Sequence, residues 1–116
     1  MPRLELAHLL ELLGQEQACY TALLDLSRAQ RRMLQQGRLE RLGDLMREKQ
    51  RVLDRLEGVE QNLAASKGEW PKLRTSLSDE DRQVLDLSLA TAGEILSELI
   101  ASERESEGLL RTRRAA

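Results

Sequence analysis

Residues that build strands are almost missing from this chain. It has no phenylalanine, one tyrosine and one tryptophan, and three valines and two isoleucines stand against 25 leucines. Aromatic and β-branched side chains suit the pleated, half-buried surface of a sheet. Their scarcity argues against one. Proline occurs only at positions 2 and 71, so long stretches contain nothing that breaks a helix. Leu, Glu, Arg, Gln and Ala fill the remainder, and all are good helix formers.

Other absences exclude functions. Cys19 is the only cysteine, so no internal disulfide can form and a disulfide-stapled secreted scaffold is excluded. No run approaches the ~20 apolar residues of a membrane span. The start, Met1-Pro2-Arg3, leads into an amphipathic stretch with Glu5, His8 and Glu11, without the apolar core of a signal peptide. A cytoplasmic protein with no membrane insertion is expected. With 18 basic and 20 acidic residues the net charge is −2. The basic footprint and stacking aromatics of a nucleic-acid binder are missing. The one basic cluster, Arg111, Arg113 and Arg114, reads as a solvated tail.

Catalytic chemistry is equally scarce. His8 is the only histidine, and no cysteine or second histidine lies near it. Cys19 has no histidine within a few turns and reads as a small apolar filler. The seven glycines are dispersed and form no phosphate-binding loop. Nothing resembles a nucleophile, base and orienting group in one segment. No enzyme, no cofactor and no metal are expected.

What is present is a heptad pattern. Leu39, Leu42, Met46, Lys49, Leu53, Leu56, Glu60 and Leu63 alternate at spacings of three and four. Such spacing places all eight on one stripe of a helix that packs against another helix. A further register, Leu45, Val52 and Val59, widens the stripe enough to touch two neighbours. This predicts that the second helix is the central one. Lys49 and Glu60 interrupt the stripe. Their stems can cover apolar surface while their heads reach water, or they can set register and partner choice.

Three helices are predicted, over about 3–36, 38–66 and 78–112, in a single domain spanning 1–116. Gly37 can close the first helix in the left-handed conformation. Residues 67–77 form a connection containing Gly68, Trp70 and Pro71, and Pro71 disfavours helix at Trp70. Trp70 is expected to cover the open end of the bundle. Ser78 is a good N-cap, and Asp79, Glu80 and Asp81 suit the positive end of the helix dipole. The seam of the third helix is Leu85, Leu89, Ala92, Leu96, Leu99, Glu103, Ser106 and Leu110, and it weakens beyond Ile100. The fold class is therefore all-α: an elongated, antiparallel three-helix coiled-coil bundle.

Several of these residues also carry a family resemblance. Glu48-Lys49, Val52-Leu53, Leu56 and Glu60-Gln61 resemble the central helix of the FlgN-type flagellar export chaperones. Leu9-Leu10, Leu13, Glu16, Tyr20, Leu23-Leu24 and Leu26 are similar to the first helix of that family, and Trp70 has counterparts there. The resemblance covers roughly residues 4–105. Two asparagines often found in the family are replaced here by Leu89 and Ala92, while Gly93 and Ile95-Leu96 are kept. The long tail of some members is not expected here.

The resemblance implies a chaperone whose partners are hook-associated flagellar proteins, bound through their C-terminal helices, and components of the export apparatus. Helix-in-groove packing onto an amphipathic client helix is a sound physical basis for that role. The third helix has a sequence neighbour on one side only and a fading seam. Its residues Leu87, Ile95, Leu99, Ile100, Leu109 and Leu110 are therefore the candidate partner-binding residues. The rival reading is a coiled-coil adaptor or scaffold that self-associates through the same stripes, and spare leucines off the main seams, such as Leu12, Leu26 and Leu87, make a homodimer or a swap credible.

Overall fold

The computed structural model describes residues 4–115, with side chains through Thr112. Pro2 and the side chains of Arg113 and Arg114 lie outside that range. The elements are α1 (Leu6–Gln36), α2 (Leu42–Ser66), a 3-10 turn (Lys67–Glu69), α3 (Trp70–Ser76) and α4 (Asp79–Ala115). The molecule is a rod of 57 × 24 × 18 Å.

Local chemistry explains the breaks. Gly37 has φ 70°, the one positive φ among the described residues. Its N–H donates to Leu34 O, and Arg38 N–H donates to Met33 O at 2.9 Å. This satisfies two carbonyls that α1 would otherwise leave open. At the start of α4, the Asp81 N–H donates to Ser78 Oγ at 3.2 Å, so Ser78 caps the helix, with Asp79, Glu80 and Asp81 in the first turn.

The connection over 67–77 is helical for most of its length. Trp70 has φ −58° and ψ −43°, in the helical region despite the proline that follows. The chain enters α3 from a 3-10 turn. Pro71 sits in the first turn of α3, where its missing N–H has no intrahelical partner to lose. Trp70 donates from Nε1 to Ser66 Oγ at 2.9 Å, and Ser66 Oγ donates to Leu63 O at 2.8 Å. The indole is half-buried and packs on the core at this end.

The central helix is α1, not α2. Both α2 and α4 pack along α1, and they approach each other little. The stripe of α1 includes buried Leu9, Leu12, Leu13, Cys19, Tyr20, Leu23, Leu24 and Leu34, and also Ser27 and Gln30. Two polar residues inside the stripe hide its width from a count of apolar residues. Contacts Gln17–Ser88 and Ser27–Ser102 show that α4 runs parallel to α1, while α2 runs back between the two turns.

The seam of α2 is also rotated. Its buried residues are Leu45, Val52, Leu56, Val59, Leu63 and Ser66. Leu39 and Met46 are each 45 % exposed and Leu53 is 39 % exposed, and Glu60 is exposed too. The register that looked supplementary is the one that packs. Leu39, Met46 and Leu53 form a flank open to solvent.

The core changes character along the rod. At the α3 end it is leucine-rich: Leu9, Leu12, Leu13, Val59, Leu63 and Leu85. The middle holds Cys19, Tyr20, Leu23, Leu24, Val52, Leu56, Ala92 and Leu99. Toward the α1–α2 turn, Ser27, Gln30, Ser102 and Ser106 are buried alongside Leu34 and Leu45. Each buried leucine contributes about 1.5–3 kcal/mol relative to exposure. In the half toward the α1–α2 turn polar side chains take several of the buried places, so apolar burial there contributes less.

Candidate functional site

The exposed apolar side chains of α2 and α4 are positioned by one polar junction. Lys49 on α2 forms an ion pair with Glu103 on α4. The same ammonium donates to Gln30 Oε1 of α1 at 3.5 Å. Lys49 is 14 % exposed along its side chain and Glu103 is 34 % exposed. The pair therefore sits where α2 and α4 converge over α1. Lys49 holds a seam position because its partners come from both other helices.

Helical geometry then places the neighbours. At 3.6 residues per turn, each residue advances about 100° around the axis. Rotating from Lys49 away from buried Val52 by about 40–60° reaches Leu53 and Met46. Rotating from Glu103 away from buried Leu99 by about 60° reaches Ile100. Met46, Leu53 and Ile100 therefore rim the α2–α4 groove on the side away from α1. The two helices are antiparallel, so Leu53 and Ile100 stand at nearly the same height. Ile100 is 43 % exposed. Leu42 and Leu96 are half-buried, and Leu96 packs against the core.

The six residues of α4 singled out from sequence divide among three environments. Leu99 is 7 % exposed and belongs to the core with Val52 and Leu56. Ile95 is half-buried and packs against that core. Leu109 and Leu110 are half-buried near the α1–α2 turn, and Leu109 borders a shallow depression with Arg31, Gln35 and Thr112. Leu87 is 68 % exposed, but it lies on a different side of α4 from Ile100. Thirteen residues separate them, which turns the helix by about 220° from a common face. Only Ile100 of the six stands on the rim of the groove. Met46 and Leu53 were assigned to the buried seam, and the signal that could have exposed them was the alternative register through Leu45, Val52 and Val59.

Electrostatics grade along the rod. At the α1–α2 turn, Arg32, Arg38, Arg41 and one acid, Glu40, surround a cavity of about 480 Å³ with Ala29, Met33 and Gln36. Arg38 and Arg41 make no ion pair among the described residues, and neither does Arg104 on α4. Toward the other end, Glu57 and Glu60 stand on the outer flank of α2. Glu60 accepts a hydrogen bond from the Tyr20 hydroxyl at 3.4 Å. Burial and the nearby Glu60 carboxylate raise the pKa of Glu16. Burial, with Glu16 and Glu60 close by, pushes the Tyr20 hydroxyl up to about 12. Burial also raises the Cys19 thiol, which keeps it un-ionised and unreactive as a nucleophile.

The exposed large apolar side chains among the described residues are Leu39 just before α2, Met46 and Leu53 on α2, and Val84, Leu87 and Ile100 on α4. Among the described residues, no group of three or more His, Cys, Asp or Glu is placed to hold a metal ion. No described helix is long and apolar enough to cross a membrane.

No curated protein and no solved structure matches the chain. A family model described as FlgN protein matches residues 1–113. That span takes in all three long helices and the junction at Lys49. The chain belongs to the FlgN family of flagellar export chaperones.

Proposed function

We propose that the protein is a cytosolic chaperone for hook-associated proteins. It binds their C-terminal helical segments, keeps them from assembling early and hands them to the flagellar export apparatus. The observation that carries this reading is the pairing of family membership with exposed apolar residues at helical spacing. Met46 and Leu53 on α2 and Ile100 on α4 are large, apolar and open to solvent. A segment that coils with its neighbours in an assembled filament exposes an apolar stripe beforehand. A helix-in-groove contact covers it.

The test is titration calorimetry of the full chain against C-terminal segments of hook-associated proteins encoded in the same genome. Binding with a dissociation constant below about 50 μM is expected. No heat of binding at that concentration with any such segment overturns the proposal. Leu87, 68 % exposed on another side of α4, favours a second reading in which the chain self-associates. Sedimentation separates the two, because a scaffold gives a concentration-dependent dimer without any client.

A further inference from the structure

We infer that the cavity at the α1–α2 turn is a docking site for an acidic peptide segment. It lies apart from Met46, Leu53 and Ile100 and does not depend on the chaperone reading. The turn builds it. Ala29, Arg32, Met33 and Gln36 follow at spacings of three, one and three, which sets them on one face of the last turns of α1. That face differs from the buried stripe through Ser27, Gln30 and Leu34. Gly37, at φ 70°, reverses the chain, and Arg38, Glu40 and Arg41 come back to line the same space. The cavity has a volume of about 480 Å³, within the range of about 300–1,000 Å³ common for ligand sites.

Its charge is one-sided. Three arginines and a single acid, Glu40, line it. Arg32, Arg38 and Arg41 are exposed, and none of them forms an ion pair among the described residues, with Glu40 or with any other acid. Arginines close by in the chain do meet one: Arg28 pairs with Glu98, Arg47 with Asp44 and Arg51 with Glu48. The end of α1 has no call on the three side chains, since Leu34 O and Met33 O already accept from the Gly37 and Arg38 N–H groups. Three guanidiniums with free donors remain around one space. A guanidinium fork matches a carboxylate through two parallel hydrogen bonds.

The remaining lining selects a peptide over other anions. Ala29 and Met33 are half-buried and apolar, and a methionine adapts to varied apolar partners. Gln36 both donates and accepts, while the Glu40 carboxylate only accepts. A peptide backbone supplies N–H groups to both. An ionised phosphate supplies none and is repelled by Glu40. The chain as a whole carries a net charge of −2, so the rest of the rod repels an extended polyanion such as nucleic acid or an anionic bilayer. A short segment with carboxylates beside an apolar side chain meets the cavity alone.

The experiment is fluorescence anisotropy of the full chain with a short labelled peptide of repeating Glu-Leu-Asp-Gly. A second peptide carries Gln and Asn in place of the acids. The acidic peptide is expected to bind with a dissociation constant below about 100 μM at low ionic strength, weakening as salt is added. The uncharged peptide should bind at least tenfold more weakly. Arg38→Glu combined with Arg41→Glu should weaken binding of the acidic peptide tenfold or more. Arg55→Glu makes the same change at an exposed arginine outside the cavity and should stay within twofold. Met33→Gln keeps a good helix former of similar length, removes the apolar contact and should weaken binding threefold or more. Circular dichroism melts report the fold of each variant. The uncharged peptide needs no variant and tests the charge requirement whatever the melts show.

Failure of the unaltered protein to bind the acidic peptide overturns the site. Equal losses in Arg55→Glu and in the Arg38 and Arg41 variant reveal diffuse attraction and also overturn it. Unchanged binding in Met33→Gln, displacement by inorganic phosphate at matched ionic strength, or tighter binding to phosphatidylglycerol vesicles than to the peptide overturns the peptide as occupant. A concentration-dependent dimer in sedimentation that the Arg38 and Arg41 variant abolishes assigns the cavity to a second copy and overturns it too. No flagellar segment enters these measurements, so their failure leaves the chaperone reading to its own calorimetric test.

Discussion

Ser27 and Ser102 share a 2.8 Å hydrogen bond buried between α1 and α4. Ser27 is 0 % exposed and Ser102 is 6 % exposed. This pair joins the C-terminal halves of two parallel helices where leucine would otherwise be found. One turn further along α4, Ser106 is 1 % exposed, and its hydroxyl has no hydrogen-bond partner among the described residues. The two sites make opposite predictions. Ser27→Ala leaves the Ser102 hydroxyl buried without its partner and should destabilise the fold by about 1–3 kcal/mol. Ser106→Ala removes a hydroxyl that gains nothing in the folded state and should stabilise by about 1 kcal/mol. Urea denaturation of the two variants checks both signs.

The Lys49 position separates packing from charge. Its stem passes along α1 and its ammonium reaches Gln30 and Glu103. Glu103 remains one-third exposed, so solvent screens the pair. Lys49→Ala should lose about 1 kcal/mol. Lys49→Met, which restores the stem without the charge, should recover most of that loss. A double-mutant cycle of Lys49→Ala with Glu103→Ala should give a coupling below about 1 kcal/mol. A larger coupling would mean that the ion pair, and not the stem, holds this junction.

The sequence was legible where one force acted alone. The helix breaks at Gly37 and Ser78 follow from backbone and capping chemistry within a few residues. The all-α fold follows from composition. The central helix did not, because burial of Ser27 and Gln30 depends on partners about 20 to 75 residues away. The packing register of α2 is hidden for a related reason. Two leucine-rich registers overlap on that helix. Which of them packs depends on the position of α4, and the spacing within α2 carries no record of it. Ile100 is legible as an apolar residue outside the buried core because it lies just off a seam that fades, and the structure leaves it 43 % exposed. Met46 and Leu53 are not, since they carry the same apolar signal as the residues that are buried.

Two glycines in α1 and its cap should respond in opposite ways to one substitution. Gly14 lies inside α1, and a Cβ added there meets nothing within 4 Å. Gly14→Ala should stabilise by about 0.5–1 kcal/mol through lower unfolded-state entropy and better helix propensity. Gly37 holds φ 70° at the helix end. Gly37→Ala should destabilise by about 1 kcal/mol. Thermal melts of both variants against the unaltered chain are sufficient.

Glu16 predicts a specific pH signature. Burial, and secondly the Glu60 carboxylate, raise its pKa in the folded chain above the ordinary value of 4.5. The folded state then binds the proton more tightly than the unfolded state does. Stability from this group accordingly rises as pH falls through the folded pKa toward 4.5, and the penalty is fully present above the folded pKa. Asp86 works in the other direction. Its hydrogen bonds from Arg74 lower its pKa, so its contribution is lost as the solution becomes acidic. The two trends overlap in any single profile, and a difference measurement isolates one. Glu16→Gln keeps an acceptor for the Tyr20 hydroxyl and removes the titration. The variant should be more stable than the unaltered chain at pH 7. Its advantage should shrink steadily as the pH is lowered toward 4.5, and it should vanish when Glu16 is protonated. An advantage that stays constant with pH would show that the gain comes from packing and that Glu16 is not the titrating group.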